Sequence, residues 1–340
     1  MKCALCKEND ANKKNTHYLT DGIIRSCLNQ DGSQRRGKGF YFDMSSNTAL
    51  VEFNFQQETS VAKLEEALGR QATDEEIERA KEIPFSVDDV FCSDCEKRFT
   101  KIEDEFIKEI LPKLRDSDLS SLNELTVNEG ALAWAFYYLQ VWRTSVCTEA
   151  FSISDDVSEQ LRLFILNRDT EEPAEMPVYP MAVSYLTTVG GPKEFTRNFV
   201  GFGNVTNPNL VLMNDFVIQF YEDEGDLPFF DFHTLNTPED YLDFINLDPK
   251  VFKHKIISND GRNRLLRSYN AERAKNAVEF YKNNFVKLWS MLTQRYPSEQ
   301  IVNEYLDELI NGDEFNILKY SKLQVIEKTT AFIKSKLNVR

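Results

Sequence analysis

The sequence predicts an α+β chain: a small metal-bound finger at the N-terminus, a mostly helical body, a β-rich middle segment and a helical C-terminal lobe. Three observations carry this expectation. Four of the six cysteines form two Cys-x-x-Cys pairs, Cys3/Cys6 and Cys92/Cys95, which is the ligand spacing of a thiolate metal site. Apolar residues recur at helical spacing from 90 to 167 and again over the last ninety residues, the signature of helices with one buried stripe. Between 175 and 232 the texture changes to prolines, glycines and short apolar runs such as VYPMAVSYLT and NLVLMNDFVIQFY, which are strand signals.

A chain of 340 residues with 41% hydrophobic and 12% aromatic residues can bury a large core, and single cores stop growing near ~250–300 residues, so two or three lobes are expected. The divisions suggested are a finger domain at 1–115 carrying a helical insertion at about 60–83, a helical plus β-rich domain at 116–235, and a helical lobe at 236–340. No run of about 18 apolar residues occurs and the opening MKCALCKEND has no apolar stretch, so neither a membrane span nor a signal peptide is expected. Cytoplasmic localisation and no membrane partner are the corresponding expectations. The net charge of −15 argues against a protein that coats nucleic acid over its whole surface. Residues 1–40, however, hold eight basic and four acidic side chains. A small phosphate-contacting face built from Lys13, Lys14, Arg25, Arg35 and Arg36 is therefore a candidate, against the plainer reading of a solvated loop.

In chain order, KNTHYLTDGIIRSCL suggests a short strand or turn running into a helical turn, and QDGSQRRGKG is a glycine-rich loop. Two aromatic or β-branched runs then flank Ser45-Ser46-Asn47, a hairpin signal. The 60–83 stretch reads as two short helices, with Thr73 as an N-cap ahead of Asp74, Glu75 and Glu76. Residues 90–115 place the second cysteine pair at the start of a helix with Phe99, Ile102, Phe106 and Ile110 in one stripe. The run 122–147 reads as a helix apolar nearly all round in its second half, hence buried, and 155–167 as an amphipathic helix. Asn207-Pro208 marks a turn. No internal repeat is present.

Two cysteine pairs on tight turns complete a tetrahedron at about 2.3 Å per Zn–S bond, so Cys3, Cys6, Cys92 and Cys95 are expected to hold one structural zinc ion. Cys27 and Cys147, in apolar surroundings, read as packing residues. A knuckle, a hairpin and a second knuckle opening a helix is the layout of a treble-clef, ββα-like finger. The segments CALC, NTHYLTDGIIR and FCSDCEKRFTKIEDEF resemble a bacterial group of HNH-like proteins, in which Cys-x-x-Cys is followed by a Ser-His pair and then by Cys-x-x-Cys-Glu opening a helix. YYLQVWRTSVC and QLRLFIL resemble the helical segment that accompanies the finger in that group. The resemblance covers roughly the first half of the chain.

The resemblance implies a metal-dependent endonuclease, with a role in bacterial defence against foreign DNA as a reasonable extension. It places His17 as the general base and Glu96 as a ligand for catalytic Mg²⁺ or Mn²⁺. A neutral imidazole can take a proton from water attacking a phosphodiester, and a hard divalent cation takes oxygen ligands. The chain departs from the pattern at Thr16, where many members carry a metal-binding aspartate, and at Tyr18-Leu19 in place of Ile-Pro. For the middle position only Asn47 is available. The alternative for Glu96 is an acid favoured by the helix N-terminus, and for the whole chain a non-catalytic, zinc-stapled binding or scaffold protein. Arg143 could hold Glu96, Glu103 or a phosphate. The C-terminal lobe is expected to offer a protein interface through Tyr281, Phe285, Trp289 and Tyr305, or else to use those aromatics as its own core.

Overall fold

Alternating aromatic and β-branched residues build the sheets, and stripes at helical spacing cover them. The computed structural model describes residues 1–28, 40–43, 53–55, 60–83, 85–170, 175–187, 199–203, 207–223, 225, 227–312 and 314–337. Two very short strands, β1 (Thr16–His17) and β4 (Ser86–Val87), pair antiparallel by themselves. The other strands form one mixed eight-stranded sheet. Its order is β3 (Phe53–Phe55), β2 (Phe40–Asp43), β7 (Phe199–Phe202), β8 (Asn209–Met213), β9 (Phe216–Phe220), β6 (Met181–Leu186), β10 (Phe252–Ile257) and β5 (Glu124–Val127). Only the β2–β7 and β6–β10 pairs are parallel. The fold is α+β, as expected.

Helices cover both faces of the sheet. On one face pack α4 (Ser93–Glu109), α6 (Gly130–Cys147) and α7 (Asp155–Asn167), which share a core with Val183, Tyr185, Val211, Phe216 and Ile218. Phe106 of α4 stacks on Phe136 of α6 with ring centroids 3.7 Å apart. The alternate residues Leu186, Leu210, Leu212 and Val217 face the other way, onto Leu265, Leu266 and Tyr269. Those three belong to α8 (Asn259–Thr293), a helix of 35 residues and hence about 52 Å long. Its first third packs on the sheet. Its remainder leaves the sheet and joins α9 (Glu299–Ile310) and α10 (Lys322–Leu337) in a second core. Strands β6, β8 and β9 are buried at every position, which is why they read as continuous apolar runs rather than as alternation.

Three element readings change. The hairpin strands β2 and β3 do not belong to the finger: Phe42 and Asp43 pair with Phe199 and Val200, so they extend the large sheet. Its turn, Ser45 to Asn47, lies outside the described residues. The stretch read as one helix from 122 begins as strand β5, and α6 starts only at Gly130, where an added Cβ would lie 2.3 Å from the Lys250 carbonyl carbon. The segment after 236 is not wholly helical, because β10 inserts between β6 and β5. A lysine-flanked strand in a long helical stretch loses to helix on periodicity alone; only its pairing partners decide otherwise. The insertion is two helices, α2 (Val61–Leu68) and α3 (Asp74–Arg79), and Thr73 forms a full capping box with Glu76.

His254 in β10 is fully buried, with its Nε2 2.7 Å from Tyr137 Oη. Burial drives its pKa down from the ordinary 6.5 to about 3. The folded state therefore keeps it neutral, while an unfolded chain protonates it below about 6.5. Stability at this residue is present above that value and is lost as pH falls toward 3. We expect roughly 2–3 kcal/mol to be lost on acidification to about pH 4.5. His254→Gln, which cannot titrate, should flatten the stability–pH profile of urea unfolding over that window by this amount.

Candidate metal centre and adjoining polar cluster

The finger is assembled by backbone hydrogen bonds between its two cysteine turns. Lys7 adopts a left-handed conformation (φ 59°), which turns the chain after Cys6 so that Lys7 N donates to Cys3 O at 2.9 Å and Cys3 N to Asn9 O at 2.8 Å. The first turn is joined to the second by Ala4 N to Val90 O at 3.0 Å, and by Asn12 N and Lys13 N to Phe91 O at 3.1 and 3.0 Å. Cys92 is the N-cap of α4 and Cys95 lies in its first turn. The helix N-terminus therefore points its unpaired N–H groups and positive dipole end at the sulfurs, which favours thiolates.

All four sulfurs lie within 4.8 Å of one another, and Cys3, Cys92 and Cys95 are buried. Among the described residues this is the one group of three or more cysteine, histidine or carboxylate side chains close enough to hold a metal ion together. Asn9 serves as an outer partner, its backbone N 3.5 Å from Cys6 Sγ and its Nδ2 3.7 Å from Cys92 Sγ. Burial pushes the Cys95 thiol well above its ordinary range, and the neighbouring thiols Cys92 and Cys3 add to the effect. Burial also opposes ionisation of Cys92, but hydrogen bonds from the Cys95 backbone and thiol, Asn9 and Cys3 outweigh it and bring this thiol down to about 7. Four sulfurs this close cannot all ionise without a cation between them. The donor set is all sulfur and closed, so a bound ion has no position left for water and serves structure.

Helix α7 clamps the first turn from outside. Arg162 Nη1 donates to Leu5 O at 2.5 Å, and Glu159 binds both Arg162 and Lys7. These cations, Arg162 first, pull the Glu159 carboxyl down to about 2.

Behind the finger lies a buried polar cluster that the cysteine pattern does not reveal. Arg143, on the otherwise apolar α6 and 1% exposed, donates to Glu103 Oε1 and stands 5.3 Å over the Phe99 ring. Thr20 Oγ1 donates to the same Glu103 oxygen at 2.7 Å, and Thr20 N to Gln140 Oε1 at 3.1 Å. Glu96 lies two turns before Glu103 on the same side of α4. Its carboxyl is raised by burial, with Arg143 and Lys13 pulling the other way and Glu103 adding to the rise. Glu96 Oε2, Thr16 Oγ1 and Arg143 Nε are all buried without a hydrogen-bond partner among the described residues. The arginine expected to meet Glu96, Glu103 or a phosphate meets Glu103.

His17 meets another carboxylate, Asp21. Thr16 is buried toward Glu96, while the next residue of the strand, His17, has its Nε2 4.0 Å from Asp21 Oδ1, both side chains being about one-fifth exposed. Asp21, the first residue of α1 (Asp21–Leu28), is thus the described carboxylate beside the histidine, and sequence spacing had a signal for it: His17 and Asp21 are i, i+4. Of the expected phosphate-contacting residues, Lys14 faces Asp88 and Asp89, Lys13 is exposed beside the second knuckle, and Arg25 lies in α1. Arg35 and Arg36 lie outside the described residues. No helix among the described residues is long and apolar enough to cross a membrane.

Comparison with protein-family models, with curated proteins and with solved structures finds no match for this chain.

Proposed function

We propose that the chain is an HNH-like, nucleic-acid-processing protein whose treble-clef finger is stapled by one structural zinc ion and presents His17 as a general base for phosphodiester hydrolysis. The observation that supports this reading is the His17–Asp21 pair on the finger. A carboxylate 4.0 Å from the imidazole Nε2 favours the protonated ring after it has taken a proton from water. The short β1–β4 pair and the helix opening at Cys92 match the order of parts in such a finger. Asp21 takes the place expected of Glu96, because Glu96 is turned inward toward Thr16 and Arg143. Any catalytic Mg²⁺ or Mn²⁺ would then be held on the His17 side, not at Glu96.

One observation favours a second reading, a zinc-stapled binding protein without catalysis. The buried cluster of Glu96, Glu103 and Arg143 fastens the finger to α6, which is what a scaffold needs, and an inward carboxylate cannot hold an ion for a substrate at the surface. Plasmid and single-stranded substrates incubated with the protein in Mg²⁺ or Mn²⁺ separate the two. Under the nuclease reading, His17→Ala should lower the cleavage rate by about 10²–10⁴-fold, Asp21→Asn by less, and neither should change zinc content or binding. Cleavage by His17→Ala at the wild-type rate, or none by wild type with any divalent ion, leaves the binding-protein reading.

A further inference from the structure

Of the two roles expected for the four aromatics, an interface or the lobe's own core, the structure gives the second: Tyr281, Phe285, Trp289 and Tyr305 are buried in one cluster with Val325 and Phe332. A different set is left outside. Between α8 and α10 runs a groove of about 770 Å³. Phe280 and Leu288 of α8 form one wall, Ile326 of α10 the other, and Tyr305 lies at its floor. Phe280 is 50% exposed and Ile326 52%, and the apolar surface continues along α8 through Met291 and Leu292 and along α10 through Leu323, all more than half exposed. An apolar strip of this extent on a charged protein marks an interaction site.

Two features say what covers it. The charged side chains lining the groove are both cationic, Arg273 and Lys322, in a chain whose net charge is −15. The other polar side chains lining it, Asn276, Asn284, Thr329 and Thr330, are uncharged. A second copy packed groove to groove about a twofold axis would bring Arg273 and Lys322 of both copies together, which like-charge repulsion opposes. We infer that the groove receives an amphipathic helix of a partner protein, with large apolar residues at i, i+4 and i+7 and acidic side chains along its edges. The inference does not depend on the chemistry proposed for the finger.

The test uses the full chain and two synthetic helical peptides that share leucines at i, i+4 and i+7, one flanked by glutamates and the other by lysines. In fluorescence anisotropy the glutamate peptide should bind at least roughly ten-fold more tightly, and more weakly as salt rises. Ile326→Glu should abolish binding, whereas Leu122→Glu, at an exposed leucine outside the lobe, should leave it intact. Reversing both cations, Arg273→Glu with Lys322→Glu, should switch the preference to the lysine peptide, a result that misfolding cannot imitate. Equal binding of the two peptides, or binding of neither, overturns the inference. So does a concentration-dependent dimer in sedimentation that Ile326→Glu removes, since the occupant would then be a second copy.

Discussion

Cys92→Ser should lose bound zinc and most of the folded N-terminal half together. Purified wild-type protein should carry about one zinc per chain, because four thiolates neutralise and exceed the charge of a single divalent ion and leave it no open position. Structural zinc contributes on the order of 10 kcal/mol to the folding of such fingers, comparable with the whole stability of a domain. The loss should spread beyond the finger. Leu5, Phe91 and Cys95 belong to the same core as α6 and the central strands, so collapse of the knuckles uncovers apolar surface there and should appear as loss of solubility. Cys147→Ser is the control: its thiol, pushed up to about 12 by burial, lies outside the sulfur cluster, and zinc content should be unchanged. Elemental analysis and near-ultraviolet circular dichroism read both outcomes. Recovery of soluble, folded, metal-free Cys92→Ser protein would sink the staple. Because the thiols must give up protons to bind the ion, zinc affinity should also weaken as pH falls.

The second large effect is expected at Asp215. It occupies the two-residue turn between β8 and β9, beside Asn214 with φ 53°, and is 1% exposed. Oδ2 accepts from Arg115 Nε and Nη2 at 3.0 and 2.7 Å, and Oδ1 from Arg262 Nη1 at 3.0 Å. One carboxylate thus ties α5 (Leu111–Arg115), a sheet turn and the first turn of α8. Asp215→Ala leaves Arg262, 4% exposed, without its charged partner. Breaking a buried pair from one side costs about 3–5 kcal/mol, whereas replacing the set by apolar residues is often neutral. Asp215→Ala should therefore move the urea midpoint down steeply, and adding Arg115→Met and Arg262→Met should recover most of the loss. If Asp215→Ala unfolds within roughly 0.5 kcal/mol of wild type, the network does not hold these elements together.

The parts legible in the sequence were those with a short-range physical signature. Two Cys-x-x-Cys pairs announce a sulfur cluster because two residues are the spacing at which one tight turn offers two ligands. The stripe of Phe99, Ile102 and Phe106 announces the buried face of α4, and Thr73 with Glu76 the cap of α3, because both depend on residues three or four apart. The basic side chains of the N-terminus were countable, but not their neutralisation: Lys14 meets Asp88 and Asp89, and Lys7 meets Glu159 from more than a hundred residues away.

What only the tertiary structure decided follows from contacts whose partners are distant in the chain. Spacing cannot say that β2 pairs with β7 or that β10 inserts between β6 and β5, since strand pairing has no period in sequence. Nor can it say which of two apolar sets on α8 lies inside the lobe, because a helix flanked by two others has two apolar sides and only packing chooses between them. Local chemistry by itself determined the cysteine cluster and most of the helices. The packing of Glu96 and Glu103 around Arg143 and the open groove between α8 and α10 were settled by how elements far apart in the chain close on one another.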